Sequence, residues 1–165
     1  MKKIYFLFLF LLANISYAQL TISSSFNPAG LSSLCALGYD TVLQKVWVYD
    51  CSGDSIHCFD TSGVKLGAVI APGEPANDVD VEIAPVAFTM AGTTIPQGTL
   101  LLINGETDSA EIYAIDPTSG LILDTLRTSF GNSHVVGGAY SHGTGSFSWC
   151  KIMFPVQRWK TSSVK

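Results

Sequence analysis

One pattern in this chain is written twice, and it limits the fold more than any other feature. "VWVYDCSGDSIHCFDTSGVKLG" begins at Val46 and "LLLINGETDSAEIYAIDPTSGLIL" at Leu100. In each, an apolar strand ends at a polar pair and a turn, Tyr49-Asp50 in the first and Asn104-Gly105 in the second. An alternating strand follows, Ile56 to Phe59 and Ile112 to Ile115, then a turn, Asp60-Thr61-Ser62-Gly63 or Asp116-Pro117-Thr118-Ser119-Gly120, then another apolar strand. The two closing aspartates stand 56 residues apart (116 − 60). An Asp at the head of such a turn accepts hydrogen bonds from the backbone just after it, and the Gly supplies the positive φ that tightens it. The pattern predicts a three-strand meander, present twice.

A second echo extends the unit. "SLCALGYD" (Ser33 to Asp40) precedes the first meander, and "HVVGGAYS" (His134 to Ser141) matches it at an offset of 101 (134 − 33), with Tyr39 opposite Tyr140. Two units of roughly 50 residues fit that interval, each of four short strands. The middle unit opens near "DVDVEIAPVAFTM". No helical period runs through the chain after residue 20. The fold class expected is all-β: a partial β-propeller over residues 19–147, with about two four-stranded antiparallel blades and the start of a third.

These repeats resemble β-propeller domains of secreted bacterial proteins, of the broad NHL, lactonase and quinoprotein-like kind. The resemblance covers nearly all of residues 26–147 and implies architecture alone, because propellers carry many unrelated activities. The Glu-rich opening motif of lactonase-type propellers and the Trp-centred docking motif of quinoprotein repeats are both absent. Neither activity is carried over.

The start of the chain has a different character. Lys2 and Lys3 precede an apolar run from Ile4 to Ala13, and Ser16 and Ala18 are small residues where a signal peptidase reads. Residues 1–18 are expected to be a secretory signal peptide, with a mature chain of 147 residues (165 − 18) and no transmembrane segment in it. The apolar run is shorter than the roughly 20 residues a spanning helix needs. From Gln19 to Gly145 the basic residues are Lys45, Lys65 and Arg127 against thirteen acidic ones, a net of −10 (3 − 13). Such a surface repels nucleic-acid phosphate and suits cations.

The last residues, "SWCKIMFPVQRWKTSSVK", reverse that charge. Lys151, Arg158, Lys160 and Lys165 stand among Trp149 and Trp159 with no carboxylate. The blade pattern calls here for a strand ending in Asp or Asn. One permitted encoding of Phe147–Val164, with a single T restored to its opening T run, reads F-F-L-V-Q-D-N-V-P-S-S-E-V-E-N-I-I-S, which is such a strand and turn. Residues 148–165 are therefore expected to be an atypical tail, translated out of frame, and the chain a fragment with open sheet edges. The alternative is a basic tail for anionic surfaces.

Candidate site residues follow from the strand positions. Ser33, Asp78, Asp80, Glu82 and His134 belong to the first strands, which line the channel of a propeller. Asp78, Asp80 and Glu82 alternate and so share a face. Three carboxylates on one face repel unless solvated or bound to a cation such as Ca2+, which prefers oxygen ligands. Asp78, Asp80, Glu82 and His134 form the candidate metal set, and a solvated strand end is the plainer alternative. Cys51 and Cys58 flank a hairpin turn and are candidates for a disulfide across it, against the alternative of two small buried thiols. The spacing of "CSGDSIHC" fits no common zinc pattern. His57 is assigned to a hairpin surface and His142 to an exposed Gly-rich turn. No nucleophile elbow, zinc-binding histidine pair or phosphate loop is present. Two functions are consistent with these residues: a secreted binding or scaffold module without catalysis, or a metal-dependent hydrolase built on Asp80, Glu82 and His134.

Overall fold

The computed structural model describes residues 25–73, 78–105, 109–129, 134–152 and 160–164. The expected signal segment, residues 1–18, lies outside them. The described residues form thirteen strands in antiparallel sheets, with no helix among them. No helix there is long and apolar enough to cross a membrane.

The first sheet is a meander of β1 (Leu34–Asp40), β2 (Lys45–Asp50), β3 (Ser55–Asp60) and β4 (Lys65–Ile70). The second orders β5 (Val79–Ile83), β8 (Leu100–Asn104), β9 (Ser109–Ile115) and β10 (Ile122–Ser129) side by side. Between β5 and β8 the chain inserts a hairpin, β6 (Phe88–Met90) and β7 (Thr93–Ile95). A third sheet follows: β11 (His134–Ser141), β12 (Ser146–Ile152) and β13 (Lys160–Val164). No sheet closes on itself. The expected antiparallel all-β class is borne out, and both meanders form where the repeat predicts. The inserted hairpin lengthens the second unit. First strands begin at 34, 79 and 134, so the units span 45 (79 − 34) and 55 (134 − 79) residues.

Aspartates set the turns. Asp60 Oδ1 accepts from the backbone N–H of Ser62 (2.9 Å) and Val64 (2.9 Å) and from the Ser62 hydroxyl (2.7 Å). Asp116 Oδ1 accepts from the N–H of Thr118 (2.8 Å) and Ser119 (2.7 Å). Gly63 and Gly120 close these turns at φ 89° and 72°, a region that L side chains rarely enter. Asp40 repeats the device between β1 and β2, accepting from Val42 (2.8 Å) and Leu43 (2.9 Å).

Two cores lie on either side of the second sheet. Trp47, Tyr49 and Ile56 of the first sheet pack against Val81, Leu100, Leu102 and Ile115. On the opposite face Leu101, Ile103, Ile112 and Ala114 meet Phe88, Met90 and Ile95 of the inserted hairpin, and Phe147. All five residues of β8 are buried. A strand covered on both faces needs apolar residues at every position, which is why "LLLI" does not alternate. Each such side chain contributes about 1.5–3 kcal/mol on burial.

The cysteine pairing differs from the expectation of Cys51 with Cys58. Cys51 is bonded to Cys35, their Cα atoms 6.0 Å apart, and Cys58 is a buried free thiol. Register is the reason. Cys58 stands opposite Trp47 in the β2–β3 ladder, while Cys51 lies beyond the end of β2. A bulge in β1 between Leu34 and Ala36 leaves Cys35 out of the β1–β2 ladder, beside Tyr49 and Asp50. The Cys51 N–H also donates to the Ser33 carbonyl (2.8 Å), tying the two segments together.

The tail takes strand conformation where it is described. β12 continues past Phe147 to Ile152 against β11, and β13 pairs with β12. "SFSW" alternates polar and apolar residues, which suits the start of a strand even though no Asp or Asn ends it. Residues 153–159 and 165 lie outside the described residues.

Candidate functional site

The three first strands converge. β5 contacts β1 on one side and β11 on the other. The approach to β1 is at Gly38, where an added Cβ would sit 2.6 Å from the Val81 carbonyl oxygen. Along β5, Val79, Val81 and Ile83 are buried in the core, so Asp80 and Glu82 fall on the other face, each half-buried. Asp80 bridges strands: Oδ1 accepts from Val81 N–H (2.9 Å) and Oδ2 from Gly138 N–H of β11 (3.0 Å). Burial pushes its carboxyl above the usual range, against the pull of those two N–H groups. Glu82 is also raised, by burial first and by the nearby Asp80 charge second. Among the described residues the Glu82 carboxylate has no hydrogen bond or ion pair.

The other predicted residues are more dispersed. Asp78 is half-buried just before β5, and its carbonyl accepts from Gly105 N–H (2.7 Å). His134 opens β11 opposite Ile152; its side chain lies outside those described. Ser33 donates its N–H to Asp50 Oδ1 (3.2 Å), away from Asp80. His57 is half-buried on β3, its Nδ1 without a partner, and burial followed by the Lys65 charge lowers its pKa. His142 is exposed. Among the described residues no group of three or more His, Cys, Asp or Glu is placed to hold a metal.

Beside Glu82 lies a cleft of about 440 Å³. Its walls are the end of β1 with the β1–β2 turn (Tyr39–Leu43), the end of β5 (Glu82 and Ile83, running on to Pro85), the Gln97-Gly98 turn, and Tyr140 of β11. Among the described residues its charged ones are Asp40 and Glu82, and no Lys, Arg or His lines it. Tyr39 and Tyr140, which match at an offset of 101 (140 − 39), both line it. Tyr140 is held by stacking on Phe88 at 4.2 Å between ring centroids and by a tilted contact with Phe147 at 5.1 Å. Gln97 Nε2 donates to the Pro85 carbonyl (2.9 Å), fastening the two loops at the rim. No family model and no curated protein matches this chain.

Chemically, the cleft offers one uncommitted carboxylate and two phenol rings. Asp40 Oδ1 is occupied by its own turn, while among the described residues neither oxygen of Glu82 is engaged, so Glu82 is the acidic group more open to a ligand. Sequence inspection found Glu82 and the Tyr39–Tyr140 echo, but not that they meet. Gln97 and Gly98 arrive through the inserted hairpin, which no repeat announces. A second, apolar groove lies along the outer face of the first sheet, lined in part by Phe26, Leu34, Leu37 and Val46.

Proposed function

We propose that this chain is a secreted β-propeller-type binding module, with its ligand site in the cleft between the first strands of its sheets. The propeller reading is supported by the way each sheet starts from a strand packed near the centre and meanders outward: β5 contacts both β1 and β11, and each leads into its own sheet. Secretion is supported by the positive start, the apolar run and the Ser16/Ala18 pair, and more weakly by the Cys35–Cys51 disulfide. The observation that carries the binding function is the cleft itself: two repeat-related tyrosines and Glu82, which has no partner among the described residues, line one cavity of small-molecule size. Export is tested by mass spectrometry of secreted protein, which should begin at Gln19; retention of Met1 would refute it. The binding role is tested by heteronuclear NMR of the full chain against a panel of small polar and charged compounds. Shifts clustered at Tyr39–Leu43, Glu82 and Gly98 support the role, and a panel that moves none of them removes it.

A metal-dependent hydrolase is the second reading, favoured by Asp80 and Glu82 sharing one face of β5. It requires Ca2+ or a similar cation bound near these carboxylates and lost in Asp80→Asn.

A further inference from the structure

Three features of the cleft specify the kind of ligand it can take. The first is charge. Glu82 is half-buried, carries no hydrogen bond or ion pair among the described residues, and has no cationic side chain beside it in the cleft. A half-buried carboxylate without a cationic neighbour is poorly compensated, and a cation seated beside it improves its environment. The protein around it carries a net −10 (3 − 13) from Gln19 to Gly145, which draws cations and repels anions. The second is the wall material. Tyr39 and Tyr140 are both among the lining residues, and an aromatic ring beside a cleft attracts a poorly hydrated organic cation. The third is the shortage of metal ligands. Asp40 Oδ1 is taken by Val42 and Leu43, and both Asp80 oxygens are taken by backbone N–H groups. A metal such as Ca2+ gathers about six to eight oxygens, and among the described residues no group of three or more His, Cys, Asp or Glu is placed to supply them.

We propose that the cleft between Tyr39, Glu82 and Tyr140 binds a small organic ammonium cation, with Glu82 as its counter-ion and the two tyrosine rings as its walls. This rests on reading the cleft as a binding site and names the chemistry of its ligand. The ligand enters with its charged head toward Glu82, while its alkyl groups replace water against the rings. The Gln97–Pro85 bond fastens the two loops at the rim. Nothing in this arrangement demands a reaction.

The test uses two probes of nearly equal shape, choline and its uncharged isostere 3,3-dimethylbutan-1-ol, titrated into the full chain and followed by amide shifts. The expected result is saturable movement at Tyr39–Leu43, Glu82 and Gly98 with choline, and affinity for the alcohol at least about tenfold weaker. Glu82→Gln, close to isosteric, should weaken choline by about tenfold or more while the rest of the spectrum stays in place. Tyr39→Ala should weaken it also, and Tyr39→Phe should restore it, because the ring and not the hydroxyl is used. Equal binding of choline and the alcohol would overturn the ammonium assignment and leave the cleft as a binding site of another class. Movement with Ca2+ but not choline would overturn it in favour of the metal reading. No movement with either probe, or with any compound of the wider panel, would remove the binding site and this inference with it.

Discussion

Gly38 shows how a single residue sets the distance between sheets. An added Cβ would lie 2.6 Å from the Val81 carbonyl oxygen and 3.2 Å from its Cγ1, and the first of these is backbone that cannot rotate away. Gly38→Ala therefore must push β1 off β5. We expect a loss of about 2–3 kcal/mol in urea unfolding, at the upper end for overpacking. Little change would mean that β1 and β5 are further apart than described. The same scale explains what could be foreseen. Asp60 and Asp116 were legible because a side chain capping the next two to four residues is a local event, written in a short word. The Cys35–Cys51 bond was not, because it depends on a bulge that shifts the register of one strand against another. Glu82 was found as a charge on a strand, while its lack of a partner depends on residues from three separate segments.

At the scale of elements, turns and pairings carry the stability. The Asp60 carboxyl is held below the usual range by the Ser62 hydroxyl first and the backbone N–H groups of the turn next; Asp116 is lowered by the Ser119 and Thr118 N–H groups. A carboxyl depressed in the folded state adds stability above its unfolded pKa near 3.9, and that contribution disappears as pH falls through the lower folded value. Unfolding midpoints measured from pH 6 downward should thus decline below about pH 4, and the decline should be shallower in the Asp60→Asn, Asp116→Asn double variant. Parallel curves would remove these turns from the acid response. The tail offers a second test at this scale. Ending the chain after Phe147 removes the residues opposite His134, Val135, Gly137, Gly138 and Ala139, and all of β13. With Gly138 loosened, its bond to Asp80 goes as well. The described pairing predicts a stability loss of about 1–3 kcal/mol. An unchanged midpoint is what unselected, out-of-frame text would give. Neither the run of β12 beyond Phe147 nor its pairing with β13 was foreseen, because the missing Asp or Asn turn pointed to out-of-frame text and nothing local marks where β13 returns.

The whole molecule is built asymmetrically about its second sheet, which is covered on both faces, by the first sheet on one and by the inserted hairpin and Phe147 on the other. Among the described residues the first sheet packs against the second on one face and is touched by Phe26 at Phe59 on the other, where Leu34 and Leu37 stay exposed, and β4 and β10 end their sheets without a neighbouring strand. These two edges differ. β10 carries Asp124 and Arg127, with Arg127 paired to Glu111 at 3.0 Å, so charge guards it. β4 reads "KLGAVI", with its one charge at the start, and Ile70 at its far end is 79% exposed. An unguarded edge of this kind offers unpaired N–H and C=O groups together with apolar side chains, and another copy of the same strand satisfies both. Of these two edges, β4 is the one that invites pairing. We expect light scattering of the purified chain to rise in apparent mass with concentration. Ile70→Lys should suppress that rise with no loss of thermal stability, because the side chain it replaces is already in water. Arg127→Lys, on the guarded edge, should leave the association as it was. If Ile70→Lys changes nothing while association persists, the contact runs through the outer apolar face of the first sheet, and Leu37→Lys on that face should then abolish it.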